Sequence, residues 1–123
     1  MAVTDWTGFV AQTDARMARL RDGMGDVAAA FGGLARAATA DGALDPRTKE
    51  LIALAIGIAA RCDGCLAYHA RAAARHGATR AEIVEAIGVA VYMGGGPSMI
   101  YGAEALAAFD GLGGGRSGAA PAG

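Results

Sequence analysis

The sequence has few aromatic residues, few prolines and almost no net charge. Aromatic residues make up 6% of its 123 residues, and only three residues are proline. Because strands favour aromatic and β-branched residues, this scarcity favours helices over sheets. The formal net charge of −1 supplies no electrostatic field that would attract nucleic acid or anionic lipid. We therefore expect an all-α protein with no nucleic-acid or membrane partner.

Long hydrophobic runs and cysteines are also scarce. The longest apolar run, Leu51 to Ala60, is ten residues long, whereas a membrane-spanning helix needs about 20. The first residues, MAVTDWTGFV, contain no basic flank followed by an apolar stretch, so they do not resemble a secretion signal. Two cysteines are too few for a disulfide-stabilised scaffold. These absences predict a cytoplasmic protein whose cysteine pair serves redox chemistry or metal binding.

Alanine and glycine are abundant instead. The chain holds 32 Ala and 20 Gly, about 42% of all residues. Alanine is the best helix former, but each alanine buries little apolar surface. A chain of this length forms one domain, and as a monomer it leaves roughly a third of its unfolded surface exposed. We predict a single helical domain over residues 1–110, a flexible Gly- and Ala-rich tail over residues 111–123, and assembly into a homo-oligomer.

Capping and breaking signals divide the domain into about six helices. Two amphipathic helices are expected at roughly 5–21 and 25–40, and a third at about 46–60, with Asp45 as N-cap and proline in its first position. A fourth follows the cysteines and closes at His76. A fifth opens at the capping box of Thr79 and is broken by three glycines, and a sixth runs from about 97 to 109. The third helix is apolar on nearly every face, so we expect it to be the central, buried element.

The strongest chemical signal is the spacing of Cys62, Cys65 and His69. On a helix, these three residues fall within an arc of about 60°. Positions three apart lie about 5–6 Å apart at Cβ, near the spacing that a disulfide tolerates. A helix that starts near Cys62 would stabilise a thiolate there, and His69 lies one turn beyond Cys65. The pattern indicates a reactive dithiol with its own acid–base partner.

Two other interpretations of the cysteines remain open at this point. Free cysteines are often small buried hydrophobes, and a single histidine is often a satisfied core residue. Zinc is the other alternative. A structural zinc site uses four ligands, and the chain has no second cysteine pair. Cys62 and His69 are also separated by a rise of about 10.5 Å along a regular helix. We therefore expect no metal site.

Glu50 is a candidate proton carrier. It lies on the predicted third helix on the same side as Leu54 and Gly57, where a desolvated carboxyl group could exchange a proton with a neighbouring imidazole. The residue type and position alone favour the alternative, a solvent-facing acid in the first turns, because glutamate is rarely buried.

The string Glu50-x11-Cys62-x2-Cys65-x3-His69 resembles the alkylhydroperoxidase D-like branch of the carboxymuconolactone decarboxylase superfamily. The resemblance covers about residues 43–106. It implies a small all-helical protomer that assembles into a homotrimer or homohexamer, with the redox motif sheltered near a subunit boundary. The two amino-terminal helices resemble the family only in being helical and amphipathic.

The resemblance also implies roles for the site residues. Cys65 would attack a peroxide, Cys62 would resolve the sulfenic acid into a disulfide, and His69 with Glu50 would relay protons. The sequence contains no flavin, haem or nicotinamide motif, so no cofactor is expected. Electrons would come from a dithiol donor, a lipoyl-type group or a redoxin, which reduces the pair by thiol exchange.

The chain departs from this pattern at Gly64, where members of the branch often carry a histidine. The departure leaves a second function open, a thiol–disulfide oxidoreductase or redox sensor that acts on a protein partner. A lactone decarboxylase-like activity is a further alternative, although decarboxylases of the superfamily generally lack the cysteine pair.

Overall fold

The computed structural model describes residues 3–115, which form six α-helices and no strand. The all-α prediction is therefore confirmed for this part of the chain. The helices are α1 (Trp6–Met24), α2 (Asp26–Thr39), α3 (Pro46–Ala59), α4 (Asp63–Arg75), α5 (Arg80–Gly94) and α6 (Gly96–Gly111). Most predicted boundaries lie within three residues of these.

The first boundary was predicted too early. Gly23 lies inside α1, and the break falls at Gly25, whose φ of 57° is a left-handed conformation that interrupts a helix. The last helix begins at Gly96 and extends to Gly111, two residues further than predicted. A glycine with positive φ, Gly95, separates it from α5.

Side-chain caps fix where most of the helices begin. The Asp45 carboxylate accepts a hydrogen bond from the Thr48 backbone N–H at 2.8 Å, and Pro46 occupies the first helical position. This hydrogen bond lowers the pKa of Asp45 below its ordinary value. At α5, Thr79 and Glu82 form the reciprocal capping box that the sequence predicts. The helix starts are thus encoded locally.

Helix α3 packs against α4, α5 and α6 and is the most central helix of the described chain. Its inward face carries four buried residues: Glu50, Leu54, Gly57 and Ile58. The central position of α3 agrees with the prediction, but the helix is not covered on every apolar face, because Ile52 and Ile56 are exposed in the protomer. A bidentate pair between Arg80 and Asp110, at 3.0 and 3.1 Å, joins the start of α5 to the end of α6.

The amino-terminal arm, defined here as α1 and α2, is much less covered. Trp6 and Val10 reach the core, but α2 has no buried residue. At the other end of the chain, Leu112 packs against the core and the Gly114 backbone N–H donates to the Phe109 carbonyl at 2.7 Å. Most of the predicted tail, residues 116–123, lies outside the described residues.

Among the described residues, no helix combines the length and hydropathy that crossing a membrane requires.

Candidate functional site

A tight turn between α3 and α4 presents the cysteine pair. The Cys62 backbone N–H donates to the Gly57 carbonyl at 3.0 Å, and the Arg61 backbone N–H donates to the Ile58 carbonyl at 3.1 Å. These two bonds form the Schellman arrangement that ends a helix with a left-handed residue. Arg61 supplies that residue, with φ of 57°. The turn delivers Cys62 directly to the N-cap position of the next helix.

Cys62 is the N-cap of α4. Its Sγ accepts a hydrogen bond from the Cys65 backbone N–H at 3.1 Å, in the place where a serine or aspartate oxygen usually serves. The two cysteines are joined by a disulfide, with Cα atoms 5.2 Å apart. Both cysteines are half-buried. The unpaired N–H groups and the positive end of the helix dipole lie at this sulfur pair, and they favour the thiolate form when the disulfide is reduced.

Gly57 allows α3 to approach the cysteines. A Cβ atom built on Gly57 would lie 3.0 Å from the Cβ of Cys65, which is closer than ordinary van der Waals contact. Gly57 is also buried. Any larger residue would therefore push α4 away from α3 at the level of Cys65.

Glu50 and His69 meet across the same helix pair. The His69 Nδ1 and Glu50 Oε1 atoms lie 2.6 Å apart. Glu50 is only 6% exposed, so the solvent-facing placement that the residue type favours is wrong. The side chain of His69 is 34% exposed. When Glu50 is ionised it can only accept, so Nδ1 of His69 then donates in this contact and Nε2 of a neutral ring is left as an acceptor.

The predicted site residues therefore lie on two neighbouring helices. Glu50 extends from α3, while Cys62, Cys65 and His69 lie along the first two turns of α4. The fold brings Glu50 to His69 over 19 residues of sequence. Within residues 3–115, no group of three or more His, Cys, Asp or Glu side chains is arranged to hold a metal ion.

One contact beside the site was not predicted. The Tyr68 hydroxyl donates to Asp14 Oδ1 at 2.5 Å and so ties α4 to α1. Burial, and secondly this hydrogen bond, raise the pKa of the Tyr68 phenol above its ordinary value. The guanidinium carbon of Arg71 lies 5.3 Å from the centre of the Tyr68 ring. No local signal marks Asp14, because 54 residues separate it from Tyr68.

Gly64 stands on the open side of the cysteine pair. A Cβ atom built there would meet no atom within 4 Å. The position that often carries histidine in the resembled branch therefore has room for a side chain, and here it leaves that room to solvent.

Two related proteins are described without an activity. A protein of Cupriavidus necator, described as uncharacterised, is 46% identical over 83 residues, which cover 68% of this chain and 74% of that protein. The uncharacterised protein 4 of the cox locus of Paracoccus denitrificans is 44% identical over 81 residues, covering 66% of this chain and 73% of that protein. Neither description names an activity.

Two solved structures share the fold. The apo structure of a carboxymuconolactone decarboxylase family protein from Legionella pneumophila is 44% identical and has a TM-score of 0.85, over 88% of this chain and 96% of that chain. A protein from Thermotoga maritima is 33% identical, with a TM-score of 0.65 over 69% of this chain and 77% of that chain.

The sequence profile of the carboxymuconolactone decarboxylase family matches residues 25–108. The match includes α2, so the family likeness begins earlier than the 43–106 segment that the sequence indicates. The all-helical fold and the cysteine pair are consistent with the alkylhydroperoxidase D-like branch. The chain belongs to the carboxymuconolactone decarboxylase family.

Proposed function

We propose that the protein is a thiol-dependent hydroperoxide reductase that uses Cys62 and Cys65 as a dithiol–disulfide couple. The observation that supports this best is the contact between His69 Nδ1 and Glu50 Oε1 at 2.6 Å, on a helix turn adjacent to Cys65. A buried carboxylate that orients an imidazole one helical turn from a thiol is a general acid–base arrangement. A disulfide with only a structural role would not need it.

In the oxidative half of the reaction, the Cys65 thiol gives its proton to Nε2 of His69, and the resulting thiolate attacks the peroxide oxygen that carries hydrogen. The O–O bond breaks, His69 gives a proton to the departing alkoxide or hydroxide, and Cys65 becomes a sulfenic acid. The Cys62 sulfur then attacks the Cys65 sulfur and water leaves. This step needs the two sulfurs within bonding distance, which the Cys62–Cys65 disulfide satisfies.

In the reductive half, an external dithiol returns two electrons by thiol exchange. A lipoyl-type group or a redoxin has the required chemistry. No flavin, haem or nicotinamide takes part in this scheme. A supply of reduced thiols is a property of the cytoplasm, so we place the reaction there.

Stopped-flow mixing of the reduced protein with cumene hydroperoxide tests the proposal. We expect thiol oxidation at least about 100-fold faster than that of a free thiol, since acid–base catalysis contributes about 10²–10⁴-fold. Cys65→Ser should abolish the reaction, and Cys62→Ser should leave a sulfenic acid that dimedone traps. An oxidation rate equal to that of a free thiol would rule out the peroxidase function.

Gly64 favours one competing function, a thiol–disulfide oxidoreductase or redox sensor. The open space at this position leaves the disulfide accessible to a protein partner and removes a potential proton donor. Reduction of a protein disulfide such as that of insulin, at a rate that exceeds peroxide turnover, would favour this alternative.

We also propose a homotrimer or homohexamer. The support is the uncovered apolar face of α2, where Phe31 is 66% exposed. Large exposed apolar side chains in a row mark association surfaces. Light scattering that shows a lone protomer at micromolar concentration would contradict this assembly.

A further inference from the structure

Arg61 occupies a backbone conformation that its residue type does not favour. Its φ of 57° makes it the only non-glycine residue with positive φ among residues 3–115. The end of α4 offers a direct comparison. There the Gly77 N–H donates to the Ala74 carbonyl at 3.1 Å and the Ala78 N–H donates to the Ala73 carbonyl at 2.9 Å. The hydrogen-bonding pattern is the same, but the left-handed position is filled by glycine, which adopts it without strain.

No side-chain hydrogen bond or ion pair within residues 3–115 accounts for an arginine at this position. Arg61 is exposed. In residues 3–115 the arginines that pair with carboxylates are Arg47 and Arg80, and Arg61 is not among them. A left-handed non-glycine residue beside a functional site often reflects function rather than folding. Arg61 thus adjoins Cys62 in the chain, with an exposed side chain that takes part in no ion pair among residues 3–115.

The charges beside the cysteine pair are unevenly placed. Arg61 immediately precedes Cys62 and is exposed to solvent. Asp63 immediately follows Cys62, but its Oδ1 atom is buried and makes no hydrogen bond. Glu50 is also buried. The exposed charge that adjoins Cys62 in the chain is therefore positive, whereas Glu50 and one oxygen of Asp63 are buried.

We infer that Arg61 is a specificity-determining residue that recognises an anionic group on the dithiol electron donor. The inference rests on the proposed redox function and concerns its reductive half. The donor thiolate attacks Sγ of Cys62, the disulfide breaks, and the released Cys65 thiolate takes a proton. The second donor thiol then attacks the donor sulfur of the mixed disulfide, which releases Cys62 as a thiol and the donor as a cyclic disulfide. Two electrons and two protons pass from donor to protein.

Arg61 is placed for this half of the reaction because it adjoins Cys62, the sulfur that the donor attacks in this scheme. A guanidinium group pairs with a carboxylate through two parallel hydrogen bonds. At a solvent-exposed position, such a pair contributes modestly and weakens with salt. The expected effect is therefore a preference between donors rather than an absolute requirement.

The test compares dihydrolipoate with dihydrolipoamide, which carry the same dithiol but differ in charge. The oxidised full-length protein is mixed with each donor at low salt, without peroxide. Samples are quenched in acid, and free cysteines are counted by alkylation and mass spectrometry. We expect dihydrolipoate to reduce Cys62–Cys65 about threefold to fivefold faster than dihydrolipoamide, and the ratio to fall towards one at about 0.5 M salt.

Three variants assign this preference to Arg61. Arg61→Gly suits the left-handed backbone and should bring the ratio to about one, whereas Arg61→Lys should retain a preference. Arg75→Gln removes a charge near the other end of α4, about 20 Å along the helix, and should leave the ratio unchanged. Thermal unfolding of the Arg61→Gly protein should occur at a higher temperature than that of the native protein, which would show that the loss of preference is not a folding defect.

Several results would overturn the inference. The first is that the native protein is reduced equally fast by dihydrolipoate and dihydrolipoamide at low salt. The second is that the ratio of the two rates is unchanged in Arg61→Gly. The third is that both rates fall equally in that variant. The last result would mean that Arg61 acts on the protein sulfurs and not on the donor. Because no peroxide is present, a failure of peroxidase activity in the separate stopped-flow test would leave this result intact.

Discussion

The four carboxyl-terminal helices and the amino-terminal arm both carry apolar residues at helical spacing, but the protomer covers them to different extents. Helices α3 to α6 bury leucine, isoleucine and phenylalanine side chains completely, including Leu54, Ile58 and Phe109. In the arm, Val27, Phe31 and Leu34 of α2 follow one helical stripe and are 61%, 66% and 62% exposed. An amphipathic stripe stabilises a fold only where another surface covers it. The protomer covers one apolar face of each of α3 to α6 and leaves others exposed, such as that of Ile56, whereas it buries no residue of α2.

This difference separates the proposed chemistry from the proposed assembly. The proposed site, Glu50 with His69 and the two cysteines, lies entirely on α3 and α4. The arm reaches α4 through Tyr68 and Asp14. Changes in α3 and α4 should therefore alter reactivity, whereas changes on α2 should alter association.

The largest effect is expected at Glu50. Glu50→Gln keeps the size of the side chain but removes the charge that orients and balances the imidazole. We expect Cys65 oxidation to slow by about 100-fold, at the lower end of what acid–base catalysis contributes. Stopped-flow oxidation by cumene hydroperoxide measures the change.

Glu85→Gln, at an exposed position of α5, is the matched control and should react at the native rate. If both variants react alike, the Glu50–His69 contact has no part in the chemistry.

The next effect concerns the arm. Phe31→Glu places a charge in the middle of the exposed α2 stripe and should raise the dissociation constant of the proposed oligomer by about 30-fold, the loss typical of a central interface residue. Sedimentation across a dilution series measures it. Ala29→Glu adds the same charge on the other side of α2, at an exposed position, and should leave the assembly intact. Equal dissociation by both variants would contradict an interface on this stripe.

A smaller effect is expected at Gly57. Gly57→Ala places a methyl group 3.0 Å from the Cys65 Cβ and should lower the free energy of unfolding by about 1–3 kcal/mol, as overpacking does. Urea unfolding of the oxidised protein measures it. Gly64→Ala adds the same methyl group to open space. That control should be neutral or slightly stabilising. A similar loss of stability in both variants would show that the close approach of α3 to α4 at Gly57 does not cause the loss.

The smallest effect is expected at Tyr68, whose hydrogen bond to Asp14 links α4 to the amino-terminal arm. Tyr68→Phe removes the hydrogen bond to Asp14 and should lower the free energy of unfolding by about 1 kcal/mol at pH 8. The pKa of Tyr68 is raised above its ordinary value of 10.0, so the folded state holds the phenolic proton more tightly than the unfolded state. This contribution is present below pH 10 and is lost as the pH rises through the pKa of the folded state.

Urea unfolding of both proteins at pH 8 and above pH 10 measures the difference, which should shrink at the higher pH. Tyr92→Phe, at a residue that is 84% exposed, should change nothing. If the difference in free energy of unfolding is the same above pH 10 as at pH 8, the contribution of Tyr68 to stability does not depend on its phenolic proton.

Several features of the fold were predictable because their causes are local. The capping box at Thr79, the N-cap at Asp45 and the glycine breaks each act within one helical turn, and the helices begin and end close to them. The position of the break between α1 and α2 was not predictable, because Gly23 and Gly25 give nearly the same local signal. Only Gly25 takes the left-handed conformation.

The sequence by itself determined the six helices and the common face of Cys62, Cys65 and His69, because helix spacing is set by hydrogen bonds between residues four apart. Only the tertiary structure decided that Glu50 is buried against His69 and that Tyr68 meets Asp14. It also decided that Arg61 takes a left-handed turn. These features depend on how α3, α4 and α1 cross, and crossings are set by the combined packing of residues far apart in the chain.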